Sequence, residues 1–76
     1  MLKKNKNMTR WSDLVLRMEK AIEIDRFNML IGISNIKRLL KRCNEDEVGV
    51  IQNEAKEKGG LIEEAFKRSL VDTNTK

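Results

Sequence analysis

Histidine, tyrosine and proline are absent from these 76 residues, cysteine and tryptophan occur once each, and phenylalanine twice. Without histidine or tyrosine, and with neither a glycine-rich phosphate loop nor a serine nucleophile motif, the usual machinery of acid–base and nucleophilic catalysis is missing. A lone Cys43 excludes an internal disulfide, and with no histidine it excludes a structural zinc site. No catalytic residue, cofactor or metal ligand is therefore expected. Cys43 reads as a small half-hydrophobic filler in a reducing, cytoplasmic setting.

Long apolar runs are also lacking. None approaches the roughly 20 residues that span a bilayer, and Asn5, Asn7, Thr9 and Arg10 interrupt the start where a signal peptide would need a continuous apolar stretch. Acids on both faces of the first amphipathic segment (Asp13, Glu19, Glu23, Asp25) argue against an anionic membrane surface.

What is present is helical patterning. Thr9 to Cys43 contains a single glycine and places Trp11, Val15, Met18, Ile22, Asp25, Met29, Gly32, Ile36, Leu39 and Cys43 at alternating steps of four and three. Additional apolar positions, Leu14, Ile24, Phe27, Leu30, Ile33 and Leu40 among them, widen this face beyond a two-stranded seam. The spacing predicts one helix over about 9–43, although Gly32 offers a break, with an end near Leu30 and a restart at Ser34 or Asn35. Asp25, alone among apolar seam positions, is either a register-setting buried charge or a solvated one.

Lys37, Arg38, Lys41 and Arg42 crowd the end of that segment, then Asn44 precedes Glu45, Asp46 and Glu47. Cations closing one helix dipole and anions opening the next mark a boundary, and Asn44 with Glu47 has capping-box spacing. A second helix is expected over 45–58, ended by Gly59 and Gly60, and a third over 61–71. Residues 1–8 read as a flexible basic tail and 72–76 as a frayed end. The acidic groups Glu45, Asp46, Glu47 and Glu63, Glu64 stand at helix starts, where dipole complementarity accounts for them.

The expected fold is all-α: one long N-terminal helix packed against two shorter helices as a helical hairpin. A chain this short leaves about 40% of its unfolded surface exposed, and with disulfides and metals excluded, association is the remaining staple. A homodimeric bundle closes such a hairpin, with Trp11, Val15, Met18, Ile22, Met29, Ile33 and Ile36 as the self-association face.

The formal charge of +4 resides in Lys3, Lys4, Lys6 and Arg10; the remainder is balanced. These four, with Lys37, Arg38, Lys41 and Arg42, form the candidate nucleic-acid contacts. A helix-turn-helix reading across 50–70 fails, because Glu54, Lys58 and Arg68 fall where that motif packs apolar side chains. The functional expectation is a non-enzymatic, self-associating regulatory or adaptor protein working through protein–protein contact. The alternatives are a nucleic-acid binder and a structural or scaffold subunit.

Overall fold

In the computed structural model, described for residues 6–74 and for side chains 6–71, the chain folds into four helices. They are α1 (Lys6–Glu23), α2 (Met29–Leu40), α3 (Glu45–Lys58) and α4 (Gly60–Asn74). The all-helical expectation holds among the described residues, and the two C-terminal helices fall where the patterning put them. Lys6 to Met8, expected in a mobile tail, already belong to α1, and α4 continues through Asn74. Residues 1–5 and 75–76 lie outside the described residues.

The single long helix does not form. The chain breaks over residues 24–28, away from Gly32, and the cause is local. Asp25 adopts a left-handed backbone (φ 58°). The Arg26 amide then donates to Ala21 O (2.7 Å) and the Asp25 amide to Ile22 O (3.1 Å). This pair of bonds is a Schellman termination with aspartate standing where glycine is usual. Asn28 immediately caps the next helix, its side chain accepting from the Ile31 amide at 3.1 Å. Asp25 is thus an exposed corner residue and neither sets a register nor enters the core. Gly32 lies buried within α2, where its missing side chain admits the Phe27 ring: a Cβ there would meet Phe27 Cζ at 3.1 Å.

The corner folds α1 back along α2. Asn7 Nδ2 donates to Arg42 O (3.0 Å) and to Glu47 Oε1 (3.1 Å), tying the start of α1 to the end of α2 and fixing the two as antiparallel neighbours. α1 packs on α2 and α3, while α4 packs on α2 and α3. Trp11 is the hub: fully buried, it meets Phe66 of α4 edge-to-face at 6.4 Å and donates from Nε1 to Glu54 Oε1 of α3 at 2.8 Å. Val15, Met18, Ile36, Leu39, Ile51, Ala55, Ile62 and Ala65 complete the centre. Ser69 is the buried polar side chain of this interior; its hydroxyl donates to Ala65 O (2.7 Å) within reach of Ile33 O (3.3 Å), so no buried polar cost is left open.

The capping box is present: Asn44 Oδ1 accepts from the Glu47 amide (2.8 Å) and Glu47 Oε1 from the Asn44 amide (3.0 Å). Gly59, with φ 67°, ends α3, and its positive φ explains why glycine stands there. The radius of gyration, 12.0 Å, is close to the about 11 Å expected of a compact single domain of this length. Trp11, Val15, Met18, Ile36 and Leu39 of the seam find their cover within one chain, whereas Ile22 and Asp25 remain exposed. Burial against α2, α3 and α4 satisfies the same apolar periodicity that a second copy was expected to cover.

Candidate functional site

Folding α1 against α2 aligns two stripes that are far apart in sequence. On α1, Arg10, Asp13, Leu14 and Arg17 follow one helical face. On α2 and its C-terminal extension, Asn35, Arg38, Leu39 and Arg42 repeat at the same spacing. Together these residues line an open groove of about 310 Å³. Because the helices are antiparallel, Arg10 lies towards the Arg42 end and Arg17 towards the Asn35 end. Leu39, buried, and Leu14, half-buried, supply an apolar floor.

The electrostatic feature of this groove is what the arginines lack. None of Arg10, Arg17, Arg38 and Arg42 forms an ion pair among the described residues, and neither does Asp13. Elsewhere three cations are matched, Lys58 to Glu19 at 2.9 Å, Lys67 to Glu63 at 3.5 Å and Arg68 to Glu64 at 2.8 Å, while Lys20, Arg26, Lys41 and Lys56 are scattered without an ion pair among the described residues. A guanidinium offers five donors in a planar fork suited to phosphate and carboxylate oxygens. One carboxylate against four guanidiniums leaves the groove strongly cationic. It holds no nucleophile or base pairing of the kind that group-transfer chemistry requires.

Of the basic residues singled out in the sequence, Arg10, Arg38 and Arg42 come together in this groove. Lys37 and Lys41 turn the other way, where with Leu30, Ile33 and Ser34 they line a shallow depression that Arg38 also borders. Lys6 is exposed in the first turn of α1, and Lys3 and Lys4 lie outside the described residues. Arg17 was missed. Its signal was the seven-residue spacing from Arg10 across Leu14, which gains meaning only once α2 is laid alongside.

The expected self-association face is placed otherwise. Trp11, Val15, Met18, Ile33 and Ile36 are buried in the chain's own core, Met29 is half-buried, and Ile22 alone is exposed, at 37%. The exposed aliphatic side chains include Leu30 at 76% and Val71 at 63%. Both depressions include Ile33: Leu30 lines one along α2, and Val71 lines the other between α2 and α4.

Glu45 and Asp46 occupy the first turn of α3, and Glu47 closes its capping box. Among the described residues no three acidic or cysteine side chains converge in a way that would hold a metal ion. Cys43 is half-buried, with Sγ 3.4 Å from Leu39 O. Burial first, and the Glu47 charge second, push its thiol pKa up, which disfavours a reactive thiolate. No helix among the described residues is long and apolar enough to cross a membrane. Comparisons with protein-family models, curated proteins and solved structures find no match.

Proposed function

We propose that this is a non-enzymatic nucleic-acid-binding protein whose α1–α2 groove holds a phosphate backbone. The observation that carries the reading is the convergence on one groove of four arginines, from two separated stretches of sequence, that form no ion pair among the described residues. Surface cations of a folded protein lose little by pairing with nearby carboxylates, as Lys58, Lys67 and Arg68 do. Arginines left together without partners repel one another, and an external polyanion relieves that repulsion.

The test is a fluorescence-anisotropy titration of a labelled mixed-sequence oligonucleotide. Four phosphate contacts predict a loss of about 50-fold in affinity between roughly 50 and 200 mM salt for a single strand. Replacing Arg10, Arg17, Arg38 and Arg42 together by Gln flattens that dependence while circular dichroism stays unchanged. Absence of binding at the lower salt sinks the proposal.

A second reading, a small regulatory or adaptor protein acting through protein–protein contact and self-association, is favoured by a different observation. Leu30 on α2 and Val71 on α4 stand exposed in two depressions that share Ile33. Sedimentation equilibrium decides it: a dimer that Leu30→Asp converts to a monomer supports this reading, and a wild-type monomer at all accessible concentrations ends it. A mass well above a dimer would instead favour the scaffold subunit.

A further inference from the structure

Resting on the phosphate-backbone reading of the groove, we infer that the occupant is a single strand with its bases turned inward, and that Asp13 accepts a hydrogen bond from a base amino group. A groove made only to track phosphates gains nothing from a carboxylate among its arginines. Asp13 nevertheless lines the groove with Arg10 and Arg17 on its own helix and Arg38 and Arg42 across it, and it forms no ion pair among the described residues. An ionised carboxylate only accepts hydrogen bonds, so it repels a phosphate and welcomes an N–H donor. Base edges supply such donors; the cytosine N4 amino group is the one aspartate and glutamate take in direct readout.

The floor supports the same arrangement. Leu14, half-buried, presents an apolar spot in the groove, backed by the buried Leu39. A duplex keeps its base faces stacked, so that spot would meet sugars and phosphates and lose its hydration without apolar contact. An unpaired strand can lay a base face on it, with guanidinium planes available to stack alongside. In this arrangement the arginines at the rims hold the backbone, Leu14 supports a base, and Asp13 distinguishes cytosine, which donates from N4, from thymine, whose O4 at the equivalent place accepts.

The experiment compares oligodeoxycytidine, oligodeoxythymidine and a hairpin duplex, each of about 12 nucleotides, by anisotropy at pH 7.5 against wild type and Asp13→Asn. Both single strands should bind more tightly than the duplex, and oligodeoxycytidine about tenfold more tightly than oligodeoxythymidine. Asp13→Asn should strengthen binding of both single strands and reduce their ratio to within about twofold, because the amide removes a negative charge and offers an N–H that pairs equally well with the thymine O4. Asp13 is exposed and outside the core, so the variant keeps its fold, which circular dichroism checks. Duplex binding as tight as single-strand binding, or a cytidine-to-thymidine ratio that Asp13→Asn leaves unchanged, overturns this inference while the groove stands as a nucleic-acid site. Failure of all three probes to bind removes the underlying function instead.

Discussion

The four arginines between α1 and α2 and three of the four cations of α3 and α4 are exposed basic groups with different surroundings. Lys58, Lys67 and Arg68 each meet a glutamate, whereas Arg10, Arg17, Arg38 and Arg42 meet none among the described residues. Charge content already separates the two regions: residues 6–42 carry nine basic against four acidic side chains, and residues 45–74 four basic against eight acidic. Pairing follows that supply of carboxylates. On α4 the acids stand four residues before the cations, so the helix neutralises itself locally. Around Arg10 and Arg38 the positions four residues away carry lysine, leucine, serine and a further arginine, while Asp13 stands four before Arg17 and Asp46 four after Arg42 without forming an ion pair to either among the described residues.

The most damaging way to break this comparison is to remove the packing that creates the groove. Trp11→Ala takes out the fully buried hub beneath α1 and should cost about 3–5 kcal/mol, a large share of the stability of so small a domain. Chemical denaturation should show it, and nucleic-acid binding should fall with the folded fraction. Next comes the charge contrast itself. Arg38→Gln is expected to weaken binding about five- to tenfold at roughly 50 mM salt, whereas Arg68→Gln should change it less than about twofold. Equal losses from the two variants would mean that overall charge, and not the groove, attracts the ligand.

The corner between α1 and α2 gives smaller effects of opposite sign. Asn28→Ala removes the cap of α2 and should cost about 1 kcal/mol. Asp25→Gly relieves a left-handed aspartate and should gain about 0.5–1 kcal/mol, raising the melting temperature by a few degrees. Should Asp25→Gly lower it, the left-handed termination is wrongly placed. The smallest effect concerns Cys43. Its raised thiol pKa means that the folded state holds the proton more tightly than the unfolded one. That contribution to stability is full below the unfolded thiol value and is lost as the pH rises from there through the raised folded value. Alkylation at mildly alkaline pH should accordingly be slower in the folded protein than after denaturation, a difference read by quantifying modified protein against time.

How much of this was legible in the sequence depended on the reach of each signal. The Asn44–Glu47 capping box and the Gly59–Gly60 stop involve side chains and backbone within a few residues, and both were readable. The α1–α2 corner was equally local but disguised: it uses aspartate where glycine is the usual sign, and Asn28 is hidden inside an apolar stretch. Most of the seam is buried against the chain's own helices, with Ile22 and Asp25 exposed; a repeat near 3.5 residues specifies that a helix face is covered and not by which chain. The groove followed the same logic. Arg38 and Arg42 stood out at a helix end and Arg10 in a basic run, but Arg17 acquires significance only across a fold that the periodicity did not disclose.

The bend over residues 24–28 carries one more consequence. Its hinge is short, and every contact that α1 makes with α2 and α3 is indifferent to which molecule supplies α1. Opening the hinge in two molecules would let them exchange their N-terminal arms, with Trp11 of each seated in the other's interior and the arginine rows rebuilt from two polypeptides. Such an exchanged pair keeps the same binding surface, gained twice, and concentration alone sets how much of it forms.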